Sequence, residues 1–200
     1  MLAWYFAPDD RKLRYGDSRK VRQGVAHKVE GPLALCKRGL HASISLRDAL
    51  SYAPGSVLCR VRLSGAVVKG KDKACATERT YLRVAKADKA LAEFARKCAL
   101  RVVHLWKAPE VVVRYLKTGD ESIRAAAYAA AYAAVRDAAA RDARAAARAA
   151  AHAAARAAAR AADARDAAAY AAYAAADAAE REWQERALRR MAAKLFKETA

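Results

Sequence analysis

AAAYAAAYAAVRDAAARDARAAARAAAHAAARAAARAADARDAAAYAAYAAADAAE, residues 125–180, separates an alanine-rich tail from everything before it. From Ala125 to Ala193 alanine supplies more than half of the residues. Arg, Tyr, Asp and His recur every three or four positions, and neither Gly nor Pro interrupts. Alanine has the best intrinsic helix propensity, and long runs of it escape the usual limit on isolated helices. The stretch therefore predicts one very long helix. Thr118-Gly-Asp-Glu121 matches the S/T-x-x-E capping box and Asp120 is an equally good cap, while Arg186, Arg189, Arg190, Lys194 and Lys197 place positive charge at the far end, as the helix dipole favours. Unbroken, such a helix would span ~110 Å. The Asp163–Asp166 cluster is the candidate bend.

The tail offers two side-chain rows. Arg144, Arg148, His152, Arg156 and Arg160 recur every four residues and so spiral around a helix, whereas Asp163, Asp166, Tyr170, Tyr173, Asp177 and Glu180 step by three and four and hold a straight stripe. Apart from Arg165 the rest of that second segment is alanine, a smooth face that lets another helix approach closely, within the chain or between chains. Three readings follow: a spacer or oligomerisation helix, an arm that touches nucleic acid, or compositional drift.

Working outward, residues 1–119 hold nearly all the aliphatic side chains and read as an α+β head with a small mixed or antiparallel sheet packed by helices. Residues 120–200 form the helical extension. LAWYF and KLRYG, separated by Pro-Asp-Asp, predict a hairpin. A strand is expected over Val25–Val29, and Gly39 marks a tight backbone position before a short strand at RGLHAS. SLRDALSYA carries an apolar stripe at Leu46, Ala49, Leu50 and Ala53 and is closed by Pro54-Gly55. SVLCRVRLSGAVV alternates as a half-buried strand, Lys69–Lys73 is a basic loop, and RTYLRVA is the next strand. Leu91, Phe94, Ala95, Cys98, Val102 and Leu105 share one face of a helix expected to close the head's core. Pro109 opens a short helix and Gly119 ends it.

The formal charge is +18, with 25 Lys and Arg against 10 Asp and Glu up to Gly119 and 14 against 11 beyond it, so the head carries +15 and the tail +3. A head of that charge is drawn to phosphate-rich surfaces by counterion release, and nucleic acid is the leading class of partner. Arg19, Lys20 and Arg22, with Lys69, Lys71 and Lys73 in the basic loop, are the candidate contacts. Cys36, Cys59, Cys75 and Cys98 are widely spaced without a C-x-x-C pair, which suggests reduced, mostly buried thiols and no metal site. No run reaches the ~18 apolar residues needed to cross a bilayer, and the N-terminus lacks a signal-peptide pattern. A soluble cytoplasmic protein is expected.

His41, which follows a glycine in a strand leading to the helix that bears Tyr52, and Glu78, placed just before the strand RTYLRVA, are the most suggestive groups for catalysis. The block GLHASISLRDALSYAPGSVLCRVRLSG resembles the strand, helix, strand unit of ADP-ribosyltransferases. That resemblance implies an NAD-using enzyme in which His41 or Arg14 positions the cofactor, Tyr52 packs on the nicotinamide and Glu78 polarises the reacting ribose. LRYGD, LCKRGLHAS, DALSYAPG and LWKAPEVVVRYLKTGDESIRAAA with the alanine-rich tail resemble a group of bacteriophage and prophage proteins. This second resemblance implies a viral accessory protein in a bacterial host. The sequence thus predicts a phage-type binding protein without a cofactor. Its basic head would engage nucleic acid or a host nucleic-acid machine, and its helix would space or oligomerise it, with NAD chemistry as the alternative.

Overall fold

β4 (Val57–Lys69) and β5 (Ala74–Lys86) form a long antiparallel hairpin across the expected basic loop, in a computed structural model that describes residues 1–139, 145–159, 164–175 and 178–199. Arg60 faces Arg83 and Val61 faces Tyr81, so Leu82 has no counterpart. One unmatched residue is a β-bulge, and it moves the following side chain to the other face of the sheet. Glu78 lies inside β5, opposite Ser64, rather than ahead of the strand as expected.

β1 (Leu2–Ala7) pairs antiparallel with β4 from Leu2↔Arg62 to Ala7↔Val57. The expected hairpin between LAWYF and KLRYG does not form because both edges of β1 are taken. β4 occupies one, and Ser43 exchanges two backbone hydrogen bonds with Trp4, at 2.7 and 2.9 Å, on the other. Residues 11–21 bond among themselves instead, Leu13 to Arg19 and Val21 to Arg11. β2 (Ala26–Lys28) and β3 (Leu40–Ala42) both pair antiparallel with β5, which makes the sheet antiparallel throughout. Gly39, just before β3, has φ 130°, and a Cβ there would meet the Cys75 Cβ at 2.9 Å, so the position excludes other residues. α1 (Leu46–Ser51) starts at Ser45, whose hydroxyl accepts from the Asp48 amide at 3.2 Å. Ala3, Ala7, Val21, Ala42, Val57, Cys59, Val61, Leu63, Ala74, Ala76 and Tyr81 make the core of this part.

The chain falls into two compact units, Met1–Ala87 with Leu188–Ala200, and Asp88–Ala187. The second unit begins with α2 (Asp88–Val102), which buries Leu91, Phe94, Ala95, Cys98 and Val102 as the periodicity predicts. A short 3-10 turn follows, and α3 (Glu110–Thr118) ends at Gly119 with φ 68° in the expected left-handed cap. Asp120 then caps another 3-10 turn, accepting from the Ser122 amide at 2.9 Å.

The alanine-rich region is described as α4 (Arg124–Ala139), α5 (Ala145–Ala159), α6 (Ala164–Ala175) and α7 (Ala178–Glu198). One long helix is present in α7. The expected rod of Asp120–Ala200 is not, because α5 packs on α4, α6 and α2. Ala149, Ala150, Ala151, Ala153, Ala154 and Ala155 are all buried, and with ~100° between successive residues they take up about two thirds of the circumference of α5, leaving the side of exposed Arg156 open. Helices meet on the alanine sides because the methyl groups let backbones approach. Arg144, Arg160, Asp163 and Asp177 lie outside the described residues, and the rest of the proposed bend, Ala164–Asp166, is the start of α6. His152 stacks on Tyr170 with ring centroids 4.9 Å apart. The start of α7 is fixed to α2 by an Arg101–Glu180 ion pair of 2.5 Å and a Phe94–Trp183 stack. Among the described residues no helix is long and apolar enough to cross a membrane.

Candidate nucleic-acid interface

Directly opposed residues of an antiparallel pair share a face. Trp4 opposite Arg60, Arg60 opposite Arg83, and Leu2 opposite Arg62 therefore set three arginines on one face of the sheet. Arg83 reaches that face only through the bulge at Leu82, since it would otherwise follow Tyr81 to the other side. Arg62 and Arg83 are exposed and Arg60 is half-buried. The Arg60 guanidinium lies 4.3 Å from the Trp4 ring centroid, and Trp4 in turn stacks on Phe196 at 6.3 Å with the planes 5° apart. Among the described residues none of the three arginines makes an ion pair. Like charges directly across a ladder repel, and the Arg189 charge adds to the field at Arg60. The face therefore carries three cations beside the buried Trp4 ring.

The six sequence-predicted cations fare differently. Arg19 is tied to Asp17 by a 2.6 Å ion pair and by a 2.8 Å bond to the Lys28 carbonyl, so its charge is largely spent. Lys20 and Arg22 are exposed on the same loop, and Lys69 and Lys71 are exposed around the β4–β5 turn. Lys73 sits 4.2 Å above the Tyr52 ring centroid.

Of the residues in the transferase reading, His41 and Tyr52 both flank Lys73. The Tyr52 hydroxyl donates to Asp72. His41 Nε2 accepts from the Cys36 amide at 3.0 Å, and burial, with the Arg79 and Lys73 charges, holds this imidazole below its ordinary range. Arg14 lies apart, 3.5 Å from the Pro54 carbonyl. Strand alternation turns Glu78 away from Arg79, and no described hydrogen bond links Glu78 to His41, Tyr52 or Arg14. The structure thus brings together two of the four, His41 and Tyr52.

Sequence reasoning missed Arg79. It shares the inner face with Leu63 and Tyr81 and is 2% exposed. Its Nε and Nη2 donate to the Tyr81 hydroxyl at 3.1 and 2.7 Å, its Nη1 donates to the His41 carbonyl at 2.5 Å, and its guanidinium lies 3.8 Å from the Tyr5 ring centroid. His27 Nδ1 lies 3.2 Å from the same Tyr81 hydroxyl.

Residues 19–93, from the loop after β1 through β5 into α2, match a family described as Domain of unknown function (DUF7666). The chain resembles that family over β2 to β5 and the start of α2, and every predicted site residue except Arg14 falls within the match. No curated protein and no solved structure matches the chain.

Proposed function

We propose that this protein binds nucleic acid through the arginine-bearing face of its sheet, as an accessory protein of phage type. The observation that carries the reading is Arg60 standing opposite Arg83, with Arg62 on the same face and, among the described residues, no ion pair at any of the three; Glu78, opposite Ser64, lies farther along that face. Guanidinium groups match phosphate oxygens in geometry. Lys69, Lys71 and Lys73 extend the positive field around the β4–β5 turn. The phage-group resemblance supplies the setting, bacterial nucleic acid or the machinery that handles it.

The test is fluorescence anisotropy of labelled single- and double-stranded oligonucleotides against the full chain across a salt titration. Binding weakens with salt, and replacing Arg60, Arg62 and Arg83 by Gln lowers the slope of log K against log salt by about 2 to 3, since each phosphate no longer neutralised removes roughly 0.7–0.9. Absence of binding at low salt, or an unchanged slope in the triple variant, overturns the reading.

A further inference from the structure

The loop between β1 and β2 folds back on itself as a small hairpin. Lys12 and Lys20 pair across it, the Leu13 amide donates to the Arg19 carbonyl at 3.0 Å, and the Val21 amide donates to the Arg11 carbonyl at 2.7 Å. Val21 is fully buried and Leu13 packs on the same core as Cys59, Val61 and Tyr81, so the stem is anchored on the face of the sheet opposite Arg60, Arg62 and Arg83. The tip turns at Arg14-Tyr15-Gly16-Asp17. There the Asp17 amide meets the Arg14 carbonyl at 3.4 Å, and both central residues have positive φ, 62° for Tyr15 and 81° for Gly16. Two such values in succession belong to a type I′ turn, whose first central position favours Asn, Asp or Gly because a bulky side chain is strained there. Tyrosine is a costly residue at this position. The turn holds its ring clear of the molecule, and Tyr15 is 100% exposed. A ring that buries no surface adds nothing to the fold, so the strained backbone argues for a partner outside the chain.

The charge beside the ring is unspent. Lys12 and Lys20 stand directly opposite each other, an arrangement in which like charges repel. Both are exposed, and among the described residues neither makes an ion pair. The acids of the loop are engaged elsewhere, Asp9 with the Ser56 amide and hydroxyl, Asp10 with the Lys12 backbone amide, and Asp17 with Arg19. Arg14 is turned to the Pro54 carbonyl, at 3.5 Å.

We propose that this hairpin is a contact for single-stranded nucleic acid, in which an unpaired base stacks on the Tyr15 ring and neighbouring phosphates lie on Lys12 and Lys20. The inference rests on the nucleic-acid reading for the class of partner and uses a different surface. An open ring face accepts any base, and cations close by track the backbone, the combination by which single strands are held. A duplex keeps its base faces stacked and offers the ring none except at its ends. An anionic membrane is the poorer fit, because Arg14, Gly16, Asp17 and Ser18 leave Tyr15 as the single apolar group at the tip and interfacial binding scales with apolar area buried.

Fluorescence anisotropy of the full chain with a labelled oligothymidylate, an abasic strand of the same length and a duplex tests it. Tyr15→Ala weakens binding of the thymidine strand about tenfold, Tyr15→Phe keeps it within about twofold because the ring remains, and both leave the abasic strand and the duplex unchanged. Tyr15→Gly, which relieves the positive φ, weakens the thymidine strand as Tyr15→Ala does without lowering the thermal midpoint, so the loss is not one of folding. Lys12→Gln with Lys20→Gln lowers the slope of log K against log salt for the single strand by about 1.4, roughly 0.7 for each phosphate. The Tyr15→Ala loss persists in the background of the Arg60, Arg62 and Arg83 triple variant, which separates the two surfaces. A Tyr15 effect beside an unchanged slope in the triple variant removes the arginine face alone, and duplex binding without binding of the thymidine strand removes the hairpin alone. No loss in Tyr15→Ala, an equal loss with the abasic strand or the duplex, or sedimentation with phosphatidylglycerol vesicles that Tyr15→Ala abolishes overturns the proposal.

Discussion

The Tyr81 hydroxyl and His27 Nδ1 lie 3.2 Å apart, and their protons are fixed by Arg79. Because the hydroxyl accepts from the guanidinium, it must donate to His27, which leaves Nδ1 without a proton and the imidazole neutral. Burial, then the Arg19 and Arg79 charges, lower the His27 pKa from its ordinary value. A base whose folded pKa is depressed binds fewer protons in the native state than in the unfolded one. Its contribution to stability is therefore complete above the unfolded value, near 6.5, and is lost as pH falls below it and through the folded value. Urea unfolding at pH 7.5 and pH 5.0 should show the protein less stable in acid, with a smaller difference in His27→Gln. His41, lowered in the same direction, supplies part of the slope that remains.

Between α2 and α7 the Glu180 side chain is 3% exposed and its partner Arg101 is 41% exposed. Glu180 also accepts from Gln184 Nε2 at 3.2 Å, and that amide donates to the Ala168 carbonyl at 2.9 Å, so one carboxylate organises packing against two helices. A pair open to solvent on one side falls between the exposed and fully buried limits. Glu180→Ala should cost about 2 kcal/mol, and a double-mutant cycle with Arg101→Ala should give a coupling near 1 kcal/mol in chemical denaturation.

The alanine helices allow a sharper test of packing. Ala150 and Ala153 are fully buried in α5, whereas Ala129 of α4 is exposed. Ala150→Leu or Ala153→Leu inserts three carbons where helices already touch and should cost about 1–3 kcal/mol or more. Ala129→Leu changes helix propensity hardly at all and should leave the thermal midpoint within about 2 °C. An isolated rod would tolerate all three substitutions alike.

Neighbouring residues determine some of these features and distant ones determine the rest. The stripe of Leu46, Ala49 and Leu50, the alternation of β4 and the glycine positions at Gly39 and Gly119 are local properties, and each is found where it was expected. The pairing of β1 with β4 joins segments some fifty residues apart, and turn chemistry at Pro8-Asp9-Asp10 pointed to a nearer partner. Alanine reports helix propensity and says nothing about which surfaces meet, so the same residues read equally well as a rod or as the packed helices observed. Among candidate site residues, the Arg60 and Arg62 alternation was visible, but the Leu82 bulge that adds Arg83 to their face has no local signature. Arg79 was hidden for a different reason. Arginine in a strand normally marks the wet face, and only the tertiary fold places this one against Tyr5 and Tyr81.

The four cysteines give a readout of folding that needs no ligand. All are free thiols, with Cys36 exposed and Cys59, Cys75 and Cys98 buried. Burial pushes Cys59 up to about 12 and raises Cys98 well above the ordinary thiol range, so neither forms the thiolate that reacts near neutral pH. Cys75 lies under Gly39, whose absent side chain leaves no gap for a reagent, and its pKa is raised as well. Titration of the native protein with a thiol-reactive dye at pH 7.5 should therefore label one cysteine per chain within minutes, identified as Cys36 by peptide mapping and absent in Cys36→Ser. Unfolding in urea should expose the other three. Fast labelling of two or more sites in the native protein would show that β3 and β5 do not stay closed over Cys75. Because the Arg79 bond to the His41 carbonyl ties the same two strands, Arg79→Met should raise the labelling rate of Cys75 while leaving that of Cys98 unchanged.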